Sequence, residues 1–125
     1  MQTPPRLRPT PPTIEDRAQV YLRIGLDDAR RQLGRPVHAI EGMSPLFHGF
    51  AKSGAPTFTD TARPVVRSVY MGPNESLILL DQQRVRPGAA VPALTGNSWR
   101  VGDVILHLHG EARPEVLRDL SRRVR

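Results

Sequence analysis

Two runs of β-favouring residues joined by a short turn constrain the fold of this 125-residue chain more than any other feature. Residues 64–71 alternate between two sides, with Arg67 among the valines of one side. Residues 76–83 alternate in the same way and place Asp81 on the side of two leucines. The intervening Gly72-Pro73-Asn74-Glu75 contains the residue types that turns require. The pattern predicts an antiparallel hairpin.

Further strand-like segments lie on both sides of this hairpin. Residues 37–40 and 46–50 are short strand candidates in the middle of the chain. Residues 99–109 predict either one long strand or a tight hairpin that turns at Gly102-Asp103. The segments 51–64 and 84–98 are rich in Gly, Pro and small residues, and these compositions favour loops.

The helical signals lie near the two ends of the chain. Thr13 is a helix cap followed three residues later by Asp16, and a short helix or an extended segment is expected before Gly25. A firmer helix is predicted over residues 26–33, because Gly34 is a typical helix terminator. The last helix begins at Pro114, which suits the first helical position. One apolar stripe runs along it, formed by Val116, Leu117, Leu120 and Val124.

These elements predict an α+β fold, an antiparallel β-sheet with an N-terminal helix and a C-terminal amphipathic helix packed on one face. Residues 14–125 are expected to form a single domain, which agrees with the usual domain size. Residues 1–13 hold five prolines and two arginines. This composition predicts a disordered arm or linker that favours an extended polyproline conformation.

Composition excludes several classes of function. The sequence has no cysteine, so disulfides, thiolate metal sites and a cysteine nucleophile are all excluded. The formal net charge is +6, and Lys52 is the single lysine among the 18 basic residues. The arginine bias is typical of a GC-rich genome, but it also suits binding to polyanions. The sequence contains no apolar run of the ~20 residues that a membrane helix needs, which predicts a soluble domain.

Three sequence segments together carry a family resemblance. They are the helix-to-strand segment 25–37, the strand pair 69–71 and 77–83 that ends in glutamines, and Trp99 through Gly110 with the closing helix. This order resembles the extracytoplasmic domain of unknown function of bacterial anti-sigma factors, and more distantly RseB-like and lipoprotein-sorting-like sensor domains. The resemblance implies a sensor in signal transduction, without catalytic residues. It also implies an extracytoplasmic location on a membrane-anchored protein; otherwise a cytoplasmic location is expected.

The residues themselves offer little chemistry. Neither a phosphate-binding loop nor a serine-nucleophile motif occurs in the sequence, so no catalytic residue and no cofactor are predicted. His107 and His109 lie two apart on a strand and share one side, which makes them the best candidates for metal ligands. Asp103 or Glu111 would supply an oxygen ligand. The alternative is that the histidines form the polar side of a half-buried strand.

Two hypotheses about partners remain open. The first is a non-enzymatic sensing or protein-interaction domain that binds a protein or peptide. The second is a cytosolic arginine-rich protein that binds nucleic acid, with Arg118, Arg122 and Arg123 of the last helix as contacts for an anion or partner. An exposed edge strand would also allow two copies to pair, so a homodimer is a further expectation.

Overall fold

The computed structural model describes residues 11–53, 60–90, 93–94 and 96–125. In these ranges a short 3-10 turn covers Pro73–Glu75 between the fourth and third strands of the hairpin. The helices and strands follow one another as α1 (Ile14–Ala18), β1 (Leu22–Ile24), α2 (Leu26–Leu33), β2 (Phe47–Ala51), β3 (Val65–Met71), β4 (Leu77–Arg84), β5 (Ser98–Val101), β6 (Val104–Gly110) and α3 (Pro114–Ser121).

The strands form one antiparallel sheet in the order β1-β2-β3-β4-β6-β5. The predicted hairpin is confirmed: β3 pairs with β4 from Val66 opposite Gln82 to Met71 opposite Leu77. For residues 99–109 the hairpin alternative is the right one, since β5 and β6 pair across the turn at Gly102-Asp103. The two outer strands, β1 and β5, are the edges of the sheet.

The first face of the sheet carries the main core. Strand alternation places Val66 and Tyr70 on this face, together with their cross-strand neighbours on β4 and β6. Helix α3 buries Leu117 and Leu120 against Tyr70, Ile78, Leu80, Leu106 and Leu108. Each such leucine contributes about 1.5–3 kcal/mol when it is fully buried. Helix α2 packs Ala29 and Leu33 on Val66 of the same face, so the predicted α+β architecture is confirmed.

The second face is covered differently. Helix α1 places Ala18 over an apolar strip formed by Phe47, Val69, Leu77 and Leu79. Thr13 caps α1 as predicted: its side chain accepts from the Asp16 backbone, and the Asp16 carboxylate accepts from the Thr13 backbone. The segment before Gly25 contains both of the expected alternatives, helix α1 and then strand β1.

The strand predicted for residues 37–40 is wrong, and only Ile40 forms an isolated bridge, with Val124. The buried side chain of Gln82 takes the place of a neighbouring strand: its amide oxygen accepts from the His38 backbone and its amide nitrogen donates to the His38 carbonyl, both at 2.9 Å. On the other side, Ala39 exchanges two backbone bonds with Arg125. The segment is therefore satisfied without joining the sheet.

Two sequence predictions concern residues outside the described ranges. The disordered arm 1–13 falls largely on residues 1–10, while 11–13 are exposed and carry no helix or strand. The predicted loop 51–64 includes residues 54–59, and residue 51 belongs to β2. In the described part of the chain, no helix has the length and apolar character to cross a membrane.

Candidate functional site

A row of polar side chains crosses the second face at the centre of the sheet. Arg67 on β3 lies directly opposite Asp81 on β4, and Asp81 lies directly opposite His107 on β6. His109 lies two residues further along β6 and projects from the same face. We call these four residues the polar row. Strand pairing therefore brings together residues that are up to 42 positions apart in the sequence.

The centre of the polar row is a buried ion pair. The Arg67 guanidinium donates from Nε and Nη2 to the two carboxylate oxygens of Asp81, at 2.7 and 2.8 Å. The two side chains are only 7% and 3% exposed. His109 Nε2 lies 2.8 Å from Asp81 Oδ2. The remaining Arg67 nitrogen, Nη1, donates to the carbonyl of Ala18 at 2.5 Å, which is an otherwise free acceptor at the end of α1.

The Asp81 carboxylate is held ionised although it is buried. Burial by itself raises its pKa, but the hydrogen bonds and charges of Arg67 and His109 outweigh burial and set the pKa of Asp81 below its ordinary value. A buried charge of this kind is tolerated because it is paired and fully hydrogen-bonded. Asp81 is thus a structural anion that orients Arg67.

His107 forms the outer part of the polar row. Its Nδ1 lies 2.5 Å from the hydroxyl oxygen of Ser98 on β5. Its ring stacks on the ring of His109, with 4.6 Å between the centroids. Burial lowers the pKa of His107, and the neighbouring His109 adds to that shift. His107 is therefore held in its neutral form over a wider pH range than an exposed histidine.

The two histidines were the candidate metal ligands, and the structure does place them side by side. Their parallel stacking and their contacts divide them between different partners, Asp81 for His109 and Ser98 for His107. Asp103 is engaged elsewhere, by Arg35 and Arg84. In the ranges that the structure describes, no group of three or more histidine or carboxylate side chains is arranged to hold a metal ion.

The three arginines predicted as partner contacts lie in different surroundings. Arg118 and Arg122 are exposed on α3 and just after it. Arg123 is also exposed, but its guanidinium donates to the carbonyl of Glu41 at 2.8 Å. The structure therefore does not bring the three together as one site: Arg123 helps to fix the 39–42 segment, while the other two project from the surface.

An open groove runs beside the start of α3. It consists of two adjoining depressions, of about 720 and 360 Å³, which share Pro73 and Val116 in their walls. We call it the α3 groove. The larger depression is polar, and its walls include Arg17, Glu111 and Arg113 together with the turn 73–76. The smaller one is mainly apolar, with Met43, Met71, Gly72, Leu120, Asp119 and Arg123.

Sequence reasoning missed the Arg67–Asp81 pair and the α3 groove. A signal for the pair was present, because a cationic and an anionic residue each interrupt an apolar strand side of the same predicted hairpin. Placing them opposite each other needs only the register of that hairpin. The groove had no such signal, since its walls come from α1, the 73–76 turn, the 43 region and α3.

Comparison of the chain with protein-family models, with curated proteins and with solved structures finds no match. The site must therefore be interpreted from its own geometry.

Proposed function

We propose that the chain is a non-enzymatic sensing or protein-interaction domain, similar in role to the outer domain of an anti-sigma factor. The observation that carries this proposal is the α3 groove, which is apolar at the Met71 and Leu120 end and polar at the Arg17 and Arg113 end. A groove with an apolar floor and a few polar groups suits a short peptide segment. A signalling role and an extracytoplasmic location belong to the same proposal.

The polar row supports a binding role over a catalytic one. General acid–base catalysis needs a side chain that faces substrate and is free to exchange a proton. Asp81 is instead 3% exposed and committed to Arg67. Ser98 and His107 are hydrogen-bonded to each other, and His109 is engaged by Asp81. The ionisable groups of the second face thus stabilise the sheet.

A peptide-display selection tests the proposal. Peptides are selected on the wild-type domain, and their dissociation constants are measured by fluorescence polarisation. Val116 lines both halves of the groove, so Val116→Arg is expected to weaken binding by at least about tenfold, as for loss of a central interface contact. Val101→Arg is the matched control, because Val101 is an exposed valine on the β5 edge. Peptides that bind both variants equally well, or no selected peptide at all, would contradict the proposal.

The nucleic-acid alternative has one specific observation in its favour. Arg118 and Arg122 are exposed, and neither makes an ion pair with a carboxylate of the described ranges. If they bind phosphates, replacing both by Gln should reduce the salt dependence of binding to a duplex by about one unit of log–log slope per phosphate contact. The control is replacement of Arg30 and Arg31, which are exposed but paired with Asp27 and Asp28.

A further inference from the structure

Helix α1 is a separate, weakly attached element of the second face. It has five residues, of which only Ala18 is buried, and Ile14 remains 38% exposed. A helix this short is not stable by itself in water, because one turn cannot offset the cost of nucleation. Its presence in the folded domain therefore depends on the contacts that attach it to the sheet.

Those contacts are mostly polar. Arg17 donates from Nη2 to both carboxylate oxygens of Glu111, at 2.5 and 3.0 Å, and to the carbonyl of Glu75 at 3.2 Å. The Arg17 and Glu111 side chains are 32% and 47% exposed. Water therefore reaches this ion pair and competes with it. The backbone of Leu77 also donates to Glu111, which fixes the carboxylate where Arg17 reaches it.

The second attachment comes from the polar row. Arg67 donates to the carbonyl of Ala18, and the bidentate contact with Asp81 sets the direction of that guanidinium. Ala18 itself contributes a small apolar contact on Phe47 and Leu79. The capping residue Gln19 then has a left-handed backbone, so the chain reverses direction before β1, which is paired along its length with β2.

We propose that α1 is a releasable latch: it opens at the Gln19 turn while the sheet, β1 included, remains folded. Opening would uncover the apolar strip under Ala18 and the Arg67 end of the polar row. It would also remove Arg17 from the polar half of the α3 groove. Because α1 directly follows the proline-rich stretch in the sequence, any tension or binding on that stretch acts on the latch first. The inference concerns the fold and stands apart from what the groove binds.

The absence of cysteine from the sequence allows a direct test. Ala18→Cys and Ala29→Cys each introduce one thiol at a position with no solvent exposure, the first under α1 and the second under α2. The rate of alkylation under native conditions reports how often each thiol becomes accessible. Local opening of α1 predicts that Ala18→Cys reacts at least about tenfold faster, because sub-global openings are more frequent than global unfolding. Equal rates would overturn the proposal.

A charge variant identifies what holds the latch. Glu111→Gln in the Ala18→Cys background should raise the labelling rate about threefold, the size expected for an exposed ion pair. It should leave Ala29→Cys unchanged. Glu115→Gln is the matched control, because Glu115 is an exposed glutamate on α3 that touches neither α1 nor Arg17. An unchanged rate with Glu111→Gln, or an equal rise with Glu115→Gln, would show that the ion pair does not control α1.

Amide hydrogen exchange of the wild-type chain gives a second measurement that needs no substitution. The amides of residues 17–20, whose hydrogen bonds lie within α1 and its cap, should exchange faster than those of the β3–β4 ladder. If the two sets exchange with equal protection, α1 opens only when the whole domain unfolds and there is no latch.

Discussion

Replacing Asp81 by Ala should be among the most destabilising single changes in the domain. It leaves the Arg67 guanidinium, which is almost inaccessible to water, without its counter-ion and without two of its acceptors. Loss of one partner from a buried ion pair costs about 3–5 kcal/mol. Small domains have a total stability of about 5–15 kcal/mol, so the variant should lose a third or more of it.

The single tryptophan provides the assay. Trp99 packs against the core of the first face, so its fluorescence follows urea unfolding of the sheet. The matched control is Asp103→Ala, which also removes a carboxylate bonded to two arginines, Arg35 and Arg84, but at a solvent-facing position. Its urea midpoint should shift much less than that of Asp81→Ala.

A double substitution separates the ion pair from the packing around it. Arg67→Met combined with Asp81→Ala removes both charges, and such replacements by apolar residues are often neutral or stabilising. The double variant should therefore be more stable than Asp81→Ala alone, although it lacks the contact with Ala18. The reasoning is refuted if Asp81→Ala is no worse than Asp103→Ala, or if the double variant is as unstable as the single one.

Three further predictions follow from other contacts. Because the pKa of Asp81 is lowered in the folded state, its stabilisation is complete above the unfolded value near 4 and is lost as pH falls through the folded value; Asp81→Asn should flatten the acid side of a urea-midpoint profile between pH 7 and 3. Tyr70→Phe removes the acceptor of the buried Ile40 amide and should cost about 1–2 kcal/mol in urea unfolding. Gly110→Ala would overlap the carbonyl of Leu77 at φ +138° and should cost on the order of 3 kcal/mol, against about 1 kcal/mol for Gly102→Ala, which has open space.

The difference between Gln82 and Asp81 illustrates how one strand serves two faces. Both residues are buried and polar and adjacent in β4. Gln82 faces the helices and holds the His38 backbone, while Asp81 faces α1 and holds Arg67. Two polar residues therefore link the central strand to the segments that pack on each side. A binding event that moves α1 or the 37–40 segment is thereby connected to the centre of the sheet.

The candidate site was only partly accessible to sequence reasoning. The shared side of His107 and His109 was predicted correctly, because alternation along one strand is a local property. Their partners, Ser98 and Asp81, come from other strands, and the sequence gives no local signal for that pairing. The contacts proposed for Arg118 and Arg122 stay predictions.

By itself the sequence determined the β3–β4 hairpin, the β5–β6 turn, the Thr13 cap and the apolar stripe of α3. These features depend on residues that are close together in the chain, where backbone geometry and side-chain period act directly. Only the tertiary structure decided that β4 pairs with β6, that segment 37–40 stays outside the sheet, and that Arg67 reaches α1. The reason is that each of these outcomes is a competition among distant hydrogen-bond partners, which is resolved only when the whole sheet is assembled.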